Sequence, residues 1–103
     1  MSLLFLMNDR TSTGVGDTHP SGNQGGRNRS FQVGLKGEGF VSAVVKIYGM
    51  NDGRFPTLMF TFTLSGQDIA TESDHDDFPW EYLRAEVESL SGSGAAVTVA
   101  VGG

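Results

Sequence analysis

The sequence predicts an all-β protein, a small antiparallel β-sandwich preceded by an extended N-terminal arm. From residue 30 onward, apolar and polar side chains alternate with the period of two that half-buried strands show. The 15 glycines among 103 residues suit a fold rich in turns, because glycine weakens the interior of a helix or strand. We therefore expect one compact unit with two parts, the arm at residues 1–29 and the sandwich domain at residues 30–103.

The arm begins apolar and continues polar. Residues 3–7 form the uninterrupted run LLFLM, which predicts a short strand or an apolar plug that needs cover on both faces. Residues 8–29 are rich in Gly, Ser, Thr, Asn, Asp and Arg, with Val15 as the only aliphatic side chain, so burial offsets little of the entropy lost on ordering. We expect this arm to be mobile alone and to gain its shape from other chains; an ordinary disordered leader is the alternative.

Four strand patterns and their turns follow in order. Residues 30–36 and 40–48 alternate on either side of a predicted turn at residues 37–39. Asn51-Asp52-Gly53 predicts a tight hairpin, since Asn and Gly tolerate the left-handed backbone of such turns, and residues 57–65 alternate after it. The predicted inward positions are Phe31, Val33, Leu35, Val41, Ala43, Val45, Ile47, Leu58, Phe60, Phe62 and Leu64.

The last third of the chain begins with a long acidic connection. Residues 66–80 are predicted to cross from one sheet to the other. Residues 80–90 alternate again, and although a helix over residues 81–90 is the alternative, the flanking turn signals favour a strand. Residues 91–94 predict a second tight turn before a final strand at residues 95–101. The inward positions here are Leu83, Ala85, Val87, Val97, Val99 and Val101.

Charge and composition exclude several classes of function. Residues 1–66 hold six Lys/Arg and four Asp/Glu, a balance of +2, whereas residues 67–103 hold one and eight, a balance of −7. This asymmetry favours contacts between copies, and the acidic total argues against a nucleic-acid partner. Cysteine is absent, which excludes disulfides and thiolate metal sites. The apolar opening is too short for a membrane span and lacks the flanks of a signal peptide, so we expect synthesis in the cytoplasm and no membrane partner.

Candidate ligands and catalytic groups are few. Asp74-His75-Asp76-Asp77 offers hard oxygen donors for calcium, but Phe78-Pro79 stands where the glycine of a calcium loop belongs, so a solvated acidic loop is favoured. A nucleophile beside a base and an orienting acid, or a phosphate-binding glycine loop, is not recognisable in the sequence. We expect no enzyme activity, no metal and no cofactor.

Two aromatic residues are candidates for binding. Trp80 and Tyr82 could stack on a sugar ring or anchor a protein interface. The favoured interpretation of Trp80 is that it closes the end of the core, whereas the alternation places Tyr82 outward and leaves it available.

Three segments carry a family resemblance. GFVSAVVKIYGMNDG at residues 39–53, FPWEYLRAEV at residues 78–87 and LSGSGAAVTV at residues 90–99 resemble small β-sandwich virion proteins of tailed bacteriophages. The resemblance covers about two-thirds of the chain. It implies a jelly-roll-like sandwich and a place in the virion as a capsid decoration (cement) protein or a head or tail accessory protein. The Asn-Asp-Gly turn also occurs in discoidin-type carbohydrate-binding sandwiches, although Phe55 stands here where those carry Trp and the chain is shorter.

These observations predict a homo-oligomeric virion protein that contacts a major capsid protein and stabilises the shell. A carbohydrate-binding module on a fibre or tail, using Tyr82 and Trp80, is the alternative. The predicted interface side chains are Leu3, Leu4, Phe5, Leu6, Arg10, Arg27, Arg29 and Tyr82.

Overall fold

The computed structural model describes residues 3–20, 29–52, 54–76 and 80–102. Within this part of the chain there are six strands and no helix: β1 (Leu3–Arg10), β2 (Gly14–Val15), β3 (His19–Pro20), β4 (Arg29–Met50), β5 (Thr57–Asp76) and β6 (Tyr82–Gly102). All pairings are antiparallel, in the order β1-β6-β4-β5, and β2 and β3 also pair with β6. The predicted all-β antiparallel class is confirmed.

Three strands are too long to be straight. β4 has 22 residues, which would span about 70 Å at the usual rise per residue, yet the longest dimension of the molecule is 38 Å. β5 and β6, with 20 and 21 residues, would also be longer than the molecule if they were straight. The three strands therefore bend together, and the sheet folds over on itself.

The bend is a row of glycines that crosses all three strands, which we call the corner: residues 37–40, 66–68 and 91–94. Register shifts fall here in both ladders of β4. Gly39, Gly92 and Gly94 have φ values of 75°, 123° and 64°, and Asp68 has a φ of 65°, a region that side-chain-bearing residues rarely adopt. The Gly39 amide donates a hydrogen bond to Asp68 Oδ1 at 2.7 Å, which ties β4 to β5 at the bend.

The corner divides the sheet into two facing layers. The first layer contains β1 with residues 29–36, 69–76 and 95–102, and the second contains β2 and β3 with residues 41–50, 57–65 and 82–90. The layers meet in the core, where the rings of Phe31 and Phe60 have centroids 5.3 Å apart. The predicted inward valines of β4 and β6 are all buried in this core: Val33, Val41, Val45, Val87, Val97, Val99 and Val101. The jelly-roll order stays a prediction.

Two predicted turns and the predicted acidic connection are wrong. The chain keeps its direction through residues 37–39 and 91–94, so each predicted strand pair on either side is one bent strand. Residues 66–76 are not a connection but the second half of β5, paired with residues 29–36, 40 and 41. Their polar composition suits an edge strand, because most of their side chains are exposed and charged residues are common at sheet edges. The hairpin between β4 and β5 is present, with the Phe55 amide donating to the Asp52 carbonyl at 2.9 Å.

The N-terminal leader is part of the sheet from residue 3 to residue 20. β1 pairs with residues 97–102 of β6, and β2 and β3 pair with residues 82–87. For these residues the expectation of a mobile arm is corrected, because backbone pairing and apolar burial both anchor them. The boundary at residue 29 stays a prediction. In the described part of the chain, we find no helix long and apolar enough to cross a membrane.

Candidate assembly surface

The apolar leader packs mainly on its own chain. Leu6 is 3% exposed and belongs to the core, and Leu4 is partly buried against that core. The expectation that Leu6 contacts a neighbour is therefore wrong, since the fold itself covers this side chain. Phe5, in contrast, is 43% exposed and stays available. Leu3 lies in β1, and its side chain is outside the described part of the structure.

The predicted interface arginines are also used within the chain. Arg10 donates from Nε to the Ser12 carbonyl at 3.0 Å and from a terminal nitrogen to the Thr13 carbonyl at 3.3 Å, so it closes its own turn. Arg29 is only 2% exposed, opposite Asp76 in the β4–β5 ladder, so it does not present its charge to an acidic neighbour. Burial lowers the pKa of Arg29, and the charge of Asp76 opposes that shift. Arg27 lies outside the described residues.

The outer face of the second layer carries a polar network. The Tyr48 hydroxyl donates to Glu86 Oε1 at 2.9 Å, and the Arg84 guanidinium lies 5.2 Å from the centroid of the Tyr48 ring. This hydrogen bond to Glu86, with burial as a smaller cause, raises the pKa of Tyr48. Nearby, Lys46 Nζ lies 2.6 Å from Glu88 Oε2, and that contact raises the pKa of Lys46. The network fixes the side chains around the Tyr48 ring.

An apolar patch adjoins this network at the end of the second layer opposite the corner. We define the outer patch as Phe55, Leu58 and Tyr82, which are 66%, 50% and 37% exposed. Leu58 pairs with Tyr48, and Tyr82 pairs with Met50, so both lie beside the same end of β4. The outward position predicted for Tyr82 agrees with this exposure.

Leu58 was predicted to face inward, and that prediction is wrong. The β4–β5 register shifts between Ile47, which pairs with Phe60, and Tyr48, which pairs with Leu58. Met59 is therefore an extra residue on β5, a bulge. It reverses the side of the sheet to which the preceding residues of β5 point. A break in alternation of this kind has no signature in the sequence, so the outer patch could not be predicted in full.

Trp80 lies on the other side of the sheet from the outer patch. A Cβ built on Gly49, an inward position of β4, would stand 2.5 Å from the Trp80 ring, so the ring rests directly on the glycine backbone. Trp80 is partly buried against the core, as the favoured interpretation predicted. Trp80 also lines a cleft of about 320 Å³ between the two halves of β5, with Phe60, His75 and Asp76. Trp80 and Tyr82 therefore do not form one continuous stacking platform.

The acidic segment is a strand edge. Asp74 and His75 are exposed, with 3.8 Å between Asp74 Oδ1 and His75 Nδ1. Among the described residues, a group of three or more side chains able to hold a metal is not found, and Asp77, which completes the predicted cluster, lies outside them. Calcium binding by residues 74–77 therefore stays an alternative prediction from the sequence.

A second cleft, of about 420 Å³, opens at the opposite edge of the molecule. Phe5, Arg10, Asp17 and His19 contribute to its lining, and it separates β1 from the segment that carries β2 and β3. Phe5 and this cleft together leave a second exposed surface at the N-terminal edge.

Comparison with known proteins places the fold. The crystal structure of YomS, a protein derived from the SPBc2 prophage, superposes with a TM-score of 0.63. The match covers 97% of this chain and 89% of YomS, at 15% sequence identity. The fold is shared with a prophage-derived protein. No family model matches the sequence, and no curated protein does.

Proposed function

We propose that this chain is a structural protein of a phage particle, a capsid decoration (cement) protein that binds at subunit junctions and performs no catalysis. The observation that carries the proposal is the fold shared with YomS across nearly the whole of both chains. The resemblance of residues 39–53, 78–87 and 90–99 to small virion sandwiches supports it from the sequence. On this proposal the protein is made in the bacterial host and ends in the virion.

The outer patch is the surface that we assign to the shell. Phe55 and Tyr82 are exposed aromatics, the residue type that most often anchors protein interfaces, and Leu58 adds exposed aliphatic area. The Tyr48 ring, held by Glu86 and Arg84, supplies a rigid polar rim, so few side chains need to be ordered on binding. Phe5, Leu4 and the neighbouring cleft remain a second contact surface at the opposite edge.

A binding experiment with particles tests this proposal. Particles assembled without the protein are incubated with the purified chain, sedimented, and analysed for bound copies. We expect saturable binding at a fixed ratio to the major capsid protein, reduced at least tenfold by Tyr82→Ala. Phe40→Ala is the matched control, because Phe40 is an aromatic that is even more exposed than Tyr82, at 64% against 37%, but lies at the corner away from the outer patch. Absence of binding by the wild-type chain would refute the proposal.

The second candidate function is a carbohydrate-binding module on a virion fibre or tail. The exposure of Tyr82 beside the polar network of Arg84 and Glu86 favours it, because sugar sites pair an aromatic face with hydrogen-bonding groups. The position of Trp80 on the opposite side of the sheet weighs against it. A glycan array, with and without calcium, distinguishes the two functions: specific sugar binding that is lost in Tyr82→Ala would favour the module over the capsid role.

A further inference from the structure

Among the described residues, the folded sheet has four edge segments, and three of them are protected from pairing with another chain. β1 contains two register shifts and Asp9 with a φ of 52°. β2 and β3 have two residues each, and β3 ends in Pro20. Short strands, bulges and proline are the features by which natural sheets block edge-to-edge association.

The first-layer half of β5 is protected by charge. Glu72 and Asp74 are exposed and occupy the inward-facing positions of the alternation, opposite Val33 and Phe31. Charged side chains at such positions oppose the approach of a further strand, because their desolvation would be costly. This segment therefore has a protective feature of its own.

The fourth segment has none of these features. Residues 60–66 pair in unbroken register with residues 41–47, between the bulge at Met59 and the corner. The segment FTFTLSG contains no charge and no proline, and Thr61, Thr63 and Ser65 are exposed. Within the described part of the chain, β5 pairs only with β4, so the other backbone edge of this segment has no strand beside it. We call residues 60–66 the free edge.

We propose that the free edge pairs with the same segment of a second copy, antiparallel, around a two-fold axis at Thr63; the proposal rests on the self-association that the sequence predicts alongside the proposed capsid role. In this register Thr61 lies opposite Ser65 of the second copy, and Thr63 lies opposite itself. Thr–Thr and Thr–Ser pairs of this kind stabilise antiparallel strands through side-chain hydrogen bonds. A two-fold contact is closed, so it produces dimers and leaves no edge open for further growth.

The size and the charge of the paired surface predict a weak dimer whose association strengthens with salt. Seven paired residues extend over about 24 Å, and with the 17 Å thickness of the molecule they bury only ~400 Å² per copy. The total of ~800 Å² is below the ~1,000 Å² expected of a stable interface, so the contact is a weak one. Glu72 and Asp74 run along the same side of the molecule, so pairing brings acidic groups of two copies towards each other. Salt screens that repulsion, and association is expected to strengthen about threefold between low and high salt.

Cysteine scanning tests the proposed register directly, because the chain has no cysteine of its own. Thr63→Cys is expected to form a disulfide-linked dimer, since residues opposite each other in antiparallel strands fall within disulfide reach. Neither Thr61→Cys alone nor Ser65→Cys alone is expected to cross-link. In each case the substituted residues of the two copies lie about 14 Å apart along the strands. A mixture of those two variants is expected to cross-link. Thr18→Cys, between β2 and β3, is the control.

Equal cross-linking at all positions, or none at Thr63, would overturn the proposal. Sedimentation equilibrium adds a test without oxidation: Thr63→Lys is expected to abolish dimers, whereas Thr18→Lys leaves them unchanged. A wild-type chain that stays monomeric at every protein and salt concentration also overturns it. Particle binding by Thr63→Lys is measured separately, so that loss of the dimer and loss of the capsid role are distinguishable.

Discussion

Replacing Gly92 with alanine tests whether the corner depends on glycine. Gly92 has a φ of 123°, and an added Cβ would stand 2.7 Å from Val41 Cγ1 and 2.9 Å from the Phe40 carbonyl oxygen. A side chain in that backbone region costs about 1–3 kcal/mol, and the overpacking against β4 costs a further 1–3 kcal/mol. We therefore expect Gly92→Ala to lower the free energy of unfolding by about 2–6 kcal/mol, a large share of the ~5–15 kcal/mol typical of a domain.

Two matched glycines separate the causes. Gly94 has a φ of 64° with nothing within 4 Å of an added Cβ, so Gly94→Ala should cost only the left-handed backbone, about 1–2 kcal/mol. Gly34 has the same open space without positive φ, and Gly34→Ala should stabilise by about 0.4–1 kcal/mol through the unfolded state.

Urea unfolding followed by far-UV circular dichroism and by the fluorescence of the single tryptophan measures all three variants. From the most to the least stable, the expected order is Gly34→Ala, wild type, Gly94→Ala and Gly92→Ala. If Gly92→Ala were as stable as the wild type, the corner would not be set by glycine and the reasoning would be wrong.

Two further predictions concern the leader and the polar network. Leu6→Ala should cost about 2–5 kcal/mol of stability, because Leu6 is 3% exposed, whereas Phe5→Ala at 43% exposure should cost no more than about 1 kcal/mol; similar losses in urea unfolding would contradict the packing of β1. Glu86→Gln should lower the pKa of Tyr48 in an ultraviolet titration, because the raised pKa comes first from the Glu86 hydrogen bond. Since the folded-state pKa lies above the unfolded one, the stability from this contact is present below the unfolded tyrosine pKa and lost as pH rises through the folded one. A wild-type protein whose alkaline stability profile matched that of Glu86→Gln would contradict this.

Alternation predicted the core well, because it reports directly which side of a strand is buried. The inward positions from Val41 to Ile47 and from Val97 to Val101 are all buried as expected. What alternation does not reveal is whether a glycine between two strands reverses the chain or only bends it. At residues 37–39 and 91–94 the strand continues, since β4 and β6 pair with each other on both sides of the bend.

Polar edge strands and the leader were less predictable. In the sequence, residues 69–76 look like a loop because their side chains are mostly polar. Only their pairing with β4 makes them a strand. Leu6 and Arg29 looked available for a neighbour because the sequence does not show that β1 returns to β6 or that Arg29 faces Asp76. Tyr82 was placed correctly, whereas Leu58 required knowledge of the bulge at Met59.

Quantitative mass spectrometry of purified particles tests the central claim most directly, that this fold serves as a structural part of the virion. The account predicts that the protein is present in a fixed number of copies relative to the major capsid protein and that this ratio survives repeated purification. Particles of full infectivity and stability that contain none of it would contradict the account.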